Sequence, residues 1–160
     1  MMPLKDNIPS RRFPVVTVGL VVVNSAIFLL EAMMGQRAMA ITNTFGVVPQ
    51  RLTAAWLNPL QLLTLFTSMY LHGGWAHLIG NMLYLWIFGD NVEDSMGKVR
   101  FFIFYTLSGL IAALIQVVSA PNLDVPIIGA SGAIAGVLGA YLLLFPRARV
   151  QTLVPSFYFY

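Results

Sequence analysis

The chain has 160 residues, of which 58% are hydrophobic and only 9% are charged. A soluble domain is roughly 45–50% apolar and about 25% charged, so this composition excludes most soluble folds, a disordered chain and an ordinary nucleic-acid-binding protein. The net charge of +3 arises from few ionisable groups and does not describe a basic surface. Without cysteine, a disulfide framework and a thiolate metal site are also excluded. The composition therefore predicts a membrane protein.

Long stretches without charge predict an all-α fold, a membrane helical bundle with four spans, because about 20 apolar residues cross a hydrocarbon core of about 30 Å. The charge-free stretch in the middle of the chain is too long for one helix. Pro59 and the step at residues 72–74 divide it into an irregular or interfacial segment and a second span. Pro121 and Pro126 mark a loop before the last span. The four predicted spans cover about 13–34, 75–91, 99–119 and 131–145.

The distribution of lysine and arginine predicts the orientation, because cytoplasmic loops carry an excess of these residues. A cytoplasmic N-terminus leaves only Arg37 and Arg51 outside and puts the other seven basic residues inside. We therefore expect a multi-pass protein of a plasma or inner membrane, with residues 1–12 as a short cytoplasmic segment and 13–160 as the membrane domain. After Arg149 a short apolar run follows, which we interpret as the start of a fifth span.

Polar side chains inside apolar spans are costly, and each is a candidate for function. His77 and Asn81 are spaced i, i+4, so they share one face of the second span. Ser131 stands between Gly129 and Gly132, where a loop becomes the fourth helix. Ordinary structural roles compete with function here. A serine before a helix is a preferred N-cap, and a helical His–Asn pair often joins neighbouring helices by hydrogen bonds.

The predicted depth of these residues favours chemistry. At 1.5 Å per residue, Ser131 and His77 both lie about 20 Å above the cytoplasmic edge. Irregular backbone at such a depth is tolerated only where protein or a water-filled cavity surrounds it. A recessed, wet pocket with these groups predicts acyl transfer. Ser131 would be the nucleophile, and His77 and Asn81 would donate hydrogen bonds to a developing oxyanion.

Metal catalysis is not supported by the histidine pattern. A zinc protease would need His-Glu-x-x-His on a helix, whereas no carboxylate lies between His72 and His77. We expect neither a metal nor another cofactor. Gly132 and Gly136 form a close-packing stripe without an identified partner, and we expect a further helix to supply one.

Taken together, these residues resemble the rhomboid family of intramembrane serine proteases. The resemblance covers nearly the whole chain and rests on Gly129-Ala130-Ser131-Gly132 and on residues 66–81, which read FTSMYLHGGWAHLIGN. It implies a six-helix core and the catalytic nucleophile Ser131. It also implies an oxyanion site made by His77, Asn81 and the Ser131 amide, with Gly129 shaping the adjoining loop and with His72 and Gly132 as structural neighbours.

The resemblance further implies that the substrates are single-span membrane proteins, cut near the outer end of their helix. The partners would thus be transmembrane substrates and the lipid bilayer, not nucleic acid. Glu93 and Arg100 resemble a brace between helices on the cytoplasmic side, although a solvated loop would explain them too.

In one respect the sequence departs from the family pattern. Rhomboids use a histidine on a sixth helix as general base, and no histidine follows Ser131. We therefore expect a chain truncated at its C-terminus, with four of six helices, that is inactive by itself. The alternative is a non-catalytic pseudoprotease that binds client helices. A small transporter or channel subunit is a weaker third interpretation, because the polar groups cluster at one depth.

Overall fold

The structure, a computed structural model, describes residues 2–153 and is mostly helical. Four long helices correspond to the four predicted spans, and three short helices fill the segment between the first two. Single 3-10 turns cover Gly35–Arg37 and Ser68–Tyr70. The helices are α1 (Val15–Met33), α2 (Ala38–Phe45), α3 (Pro49–Ala54), α4 (Pro59–Thr67), α5 (Trp75–Met96), α6 (Lys98–Ser119) and α7 (Ser131–Leu144).

Two of the described helices, α1 and α6, are long and apolar enough to cross a membrane, with a mean hydropathy of 2.1 in each. The outer faces of the bundle keep large apolar side chains exposed, such as Val118 (78%) and Leu143 (85%). Soluble monomers rarely expose apolar surface on this scale, whereas lipid-facing helices do. The surface therefore agrees with the composition in indicating a membrane protein.

A small antiparallel sheet was not predicted. Strand β1 (Met2–Asp6) pairs with β2 (Val150–Leu153), so the all-α prediction is incomplete. The apolar run after Arg149 begins as this strand and not as a fifth helix, while residues 154–160 lie outside the described residues. Asp6 accepts hydrogen bonds from Tyr141 Oη at 2.6 Å and Asn91 Nδ2 at 2.9 Å, which ties β1 to α7 and α5.

Helix α5 lies between α1, α6 and α7, and its residue Leu85 is fully buried in the core. Glu93, near the C-terminal end of α5, accepts the backbone N–H groups of Val16 and Thr17 at 3.0 and 2.8 Å. The first N–H groups of a helix lack partners within the helix, so this carboxylate satisfies the start of α1. The expected brace thus exists at Glu93, whereas Arg100 is exposed.

Helices α6 and α7 approach closely along the glycine stripe of α7. A Cβ on Gly132 would lie 2.6 Å from Ala112 Cβ, and one on Gly136 would lie 2.5 Å from Ser108 Cβ. The expectation that a further helix is needed to cover this stripe is therefore wrong, because α6 already covers it. A Cβ on Gly139 would meet nothing within 4 Å, so a different face of α7 is open.

Candidate functional site

Ser131 is the first residue of α7, and its side chain is exposed. The N-cap is Ala130, and no side chain caps this helix. The interpretation of Ser131 as an N-cap is therefore wrong. Gly129 precedes it with a φ of +116°, a conformation that L side chains rarely adopt, and its amide donates to the Ser68 carbonyl at 2.8 Å. The turn that presents Ser131 is thus fixed by a glycine and a backbone hydrogen bond.

The same turn contacts the polar face of α5. A Cβ on Gly129 would lie 2.6 Å from His77 Nε2 and 3.6 Å from Asn81 Nδ2. Only a glycine lets the backbone come so close to both side chains. The structure therefore brings His77, Asn81 and Gly129 together. Only Ala130 separates Gly129 from the start of α7.

The amide of Asn81 is a buried donor without a partner. The side chain is only 9% exposed, and Nδ2 makes no hydrogen bond to any described residue. An unsatisfied buried polar group costs about 1–3 kcal/mol, so natural proteins retain one only where something compensates. A ligand oxygen placed beside Gly129 would provide the missing acceptor.

The ring of His77 is oriented by its own loop. The Gly73 amide donates to His77 Nδ1 at 3.5 Å, a long hydrogen bond. Because Nδ1 acts as acceptor, the neutral ring carries its proton on Nε2, the atom that faces Gly129. His77 and Asn81 thus both offer N–H groups to the same place, as an oxyanion site requires.

His72 packs behind His77, outside the four long helices. Its ring lies edge-on to the His77 ring with 5.1 Å between centroids, and it is 4% exposed. Burial lowers the pKa of His72 to about 4, and the neighbouring His77 contributes to the decrease. Within residues 2–153, no hydrogen bond joins the Ser131 hydroxyl to either histidine ring.

One residue of this region was not identified by the sequence reasoning. Glu31, near the end of α1, is 5% exposed, and its Oε2 accepts the His72 amide at 3.4 Å. A carboxylate inside an otherwise apolar span is itself a signal of function and could have identified it. Glu31 and His72 also line a cavity of about 830 Å³ between the end of α1, α2 and the loop before α7.

The described residues contain no group of three or more histidine or acidic side chains that could hold a metal ion. The polar groups gathered here are the N–H donors of His77 and Asn81 beside Gly129, with the Ser131 hydroxyl and the first amides of α7 two residues further along the chain.

A family model described as the Rhomboid domain matches residues 59–159. The chain is 38% identical over 117 residues to rhomboid protease GluP of Bacillus subtilis, covering 72% of this chain and 21% of that protein. It is 33% identical over 96 residues (58% of this chain, 28% of the relative) to the mitochondrial Rhomboid protein 1 of Saccharomyces cerevisiae. To RHOMBOID-like protein 1 of Arabidopsis thaliana it is 41% identical over 78 residues (49% and 20%). The aligned segments thus span between 20% and 28% of the length of these relatives.

Proposed function

The chain belongs to the rhomboid family, and on that premise we propose that it carries the nucleophile and the oxyanion site of an intramembrane serine endopeptidase. Relatives that are named rhomboid proteases support this chemistry. The observation that carries the proposal is the contact of Gly129 with His77 and with the unpartnered amide of Asn81. A purely structural polar cluster would be expected to satisfy its own hydrogen bonds.

In the proposed reaction, Ser131 Oγ gives its proton to a base that the residues of this chain do not supply and attacks the carbonyl carbon of a peptide bond near the outer end of a single-span substrate. The carbonyl oxygen becomes an oxyanion and accepts hydrogen bonds from His77 Nε2, Asn81 Nδ2 and the Ser131 amide. The C–N bond then breaks as the carbonyl re-forms, and the leaving amine takes up the proton. That amide is among the N–H groups at a helix start that have no partner within the helix. Preorganised donors of this kind are worth most in a site that excludes bulk water.

We further propose four spans, α1, α5, α6 and α7, with residues 1–12 in the cytoplasm and the membrane domain beginning at residue 13. Helix α7 has 14 residues, so it is about 21 Å long, which is shorter than a hydrocarbon core of about 30 Å. Ser131 would then lie below the outer surface, and water would reach it from outside.

The proposal gives this 160-residue chain no general base. His72 and His77 are its only histidines, and both are used elsewhere in the site. A serine hydroxyl without an adjacent base is a weak nucleophile at its free pKa. We therefore expect the chain by itself not to cleave a membrane protein, even though nucleophile and oxyanion site are present.

The same observation favours a second candidate function. Without a base beside Ser131, the chain could hold the helices of client membrane proteins and release them uncut. A binder of this kind has no need of a reactive serine, and that difference separates the two candidates.

The test is covalent labelling of the chain in lipid nanodiscs by a fluorophosphonate probe, followed by intact-mass spectrometry. Because hydroxide can replace the missing base, we expect slow labelling that increases from pH 7 to pH 10. The label should be absent in Ser131→Ala and unchanged in Ser119→Ala. Ser119 is a matched control, because it is an exposed serine at the other end of the loop that leads to α7.

Labelling that persists in Ser131→Ala would contradict the assignment of the nucleophile. If no residue is labelled at any pH although the chain is folded, the protease proposal fails and the binding function is favoured.

A further inference from the structure

Glu31 is a buried carboxylate on α1 that the proposed reaction does not use. One of its oxygens, Oε1, has no hydrogen-bond partner among residues 2–153, and the other accepts only the His72 amide. Burying a carboxylate in this way is costly. A structural role in joining α1 to the core would be served better by an apolar side chain, so the cost calls for a more specific explanation.

We propose that Glu31 is a positioning residue that fixes the tautomer and the orientation of the His77 ring. Its meaning for catalysis rests on the proposed function, in which His77 Nε2 donates to the oxyanion. Its effect on the ring is a separate property that can be measured without any reaction.

Glu31 on α1 is connected to the His77 ring through the loop at residues 72–74. Two successive amides of this loop donate to side chains on different helices. The His72 amide donates to Glu31 on α1 at 3.4 Å, and the Gly73 amide donates to His77 on α5 at 3.5 Å. The carboxylate and the imidazole are therefore joined through one short piece of backbone.

The backbone at residues 72–74 is intrinsically flexible. Gly73 and Gly74 follow His72, and glycine loses more conformational entropy on ordering than any other residue. Neither hydrogen bond is short. Without the carboxylate, little would keep the Gly73 amide directed at the His77 ring, and the loop could turn this N–H away.

The direction of the Gly73 amide determines the tautomer of the His77 ring. A backbone N–H can only donate, so its presence at Nδ1 excludes a proton there and puts the proton of the neutral ring on Nε2. If the Gly73 amide turns away, both tautomers become accessible. Only the Nε2–H tautomer offers a donor toward Gly129.

The test is ¹⁵N NMR of the histidine-labelled chain in lipid nanodiscs at pH 8.5. With only two histidines in the sequence, the His72→Gln variant assigns every ring signal. We expect His77 to show separate protonated-Nε2 and unprotonated-Nδ1 signals. In Glu31→Leu and in Glu31→Asp, whose carboxylate is one methylene shorter, the two signals should move toward each other as the tautomers mix. Glu31→Gln keeps an acceptor oxygen and should restore the separation.

The matched control is Asn24→Leu. Asn24 is a second buried polar residue of α1, but its amide donates to Leu20 of its own helix and not to the loop. We expect it to leave the His77 signals unchanged. Circular dichroism in the same lipid checks that each variant is folded, and Glu31→Asp serves if Glu31→Leu is not.

Unchanged His77 signals in a folded Glu31 variant would overturn the proposal, and so would an equal change in Asn24→Leu. The outcome is separable from the proposed function. A His77 tautomer that depends on Glu31 in a chain whose Ser131 never reacts with the probe would support positioning and reject the protease.

Discussion

Gly129 determines the site at the scale of single residues. Its φ of +116° turns the chain toward α5, and the missing side chain leaves room for the His77 ring. The sequence alone did not distinguish a reactive serine from an N-cap, since both stand at a helix start. The structure speaks against the N-cap, because Ser131 caps nothing. The unpaired donor of Asn81 supports the proposal that Ser131 is reactive.

The burial of His72 predicts that the stability of the fold depends on pH. The pKa of His72 is lowered by burial to about 4 in the folded chain, against an ordinary value of 6.5. Between these values the unfolded chain binds more protons, so stability is lost as the pH falls from above 6.5 toward 4. The His77 ring from α5 faces the His72 ring, and the Glu31 carboxylate from α1 accepts the His72 backbone amide.

We therefore expect the heat-denaturation midpoint in detergent to be lower at pH 5 than at pH 7.5. The His72→Gln variant should show a smaller difference between the two pH values. If both proteins lose the same stability on acidification, His72 is not the group responsible.

At the scale of elements, the sequence predicted the long helices well and the short ones poorly. Proline and glycine punctuate the long apolar runs, so the starts of α5 and α7 fall at the predicted residues. Residues 35–70 carry only two charges, Arg37 and Arg51, and no periodicity in this stretch separates the three short helices. The strands β1 and β2 have five and four residues, too few for an alternation to be recognised, and each is defined by its partner.

The packing of α6 on α7 predicts different outcomes for two glycines of one helix. Replacing glycine by alanine inside a helix favours the helix by up to about 1 kcal/mol. Gly139→Ala should be neutral or slightly stabilising, because its Cβ meets open space. Gly136→Ala should lower stability by about 1–3 kcal/mol, because α6 must move away from the new methyl group.

Heat-denaturation midpoints of both variants in the same detergent test this prediction. Equal midpoints for the two variants would show that α6 does not lie against the Gly132–Gly136 stripe.

At the scale of the whole molecule, the bundle exposes apolar side chains around its sides and carries most of its basic residues toward one end. The proposed orientation rests on this charge distribution alone and not on packing. The site residues were predicted because polar groups in an apolar span are few. The same rule could have identified Glu31, but its contact with a loop 41 positions further along the sequence is not visible in any local pattern.

The absence of cysteine makes the orientation directly testable. In bacterial cells, a membrane-impermeant maleimide should label Asn122→Cys in intact cells and Ser10→Cys only after the membrane is permeabilised. Both positions are exposed, so access depends on the side of the membrane. The reverse pattern would contradict a cytoplasmic N-terminus, and labelling of both from outside would contradict the span arrangement.

The central claim is that α5 and the turn before α7 form one oxyanion site for Ser131. The measurement that tests it most directly is the rate of fluorophosphonate labelling of Ser131 at pH 9 in the Asn81→Ala variant. Loss of one oxyanion donor should slow labelling by roughly 100-fold. Asn91→Ala, a buried asparagine further along α5, should label at the rate of the unmodified chain. Equal rates for Asn81→Ala and the unmodified chain would contradict the account.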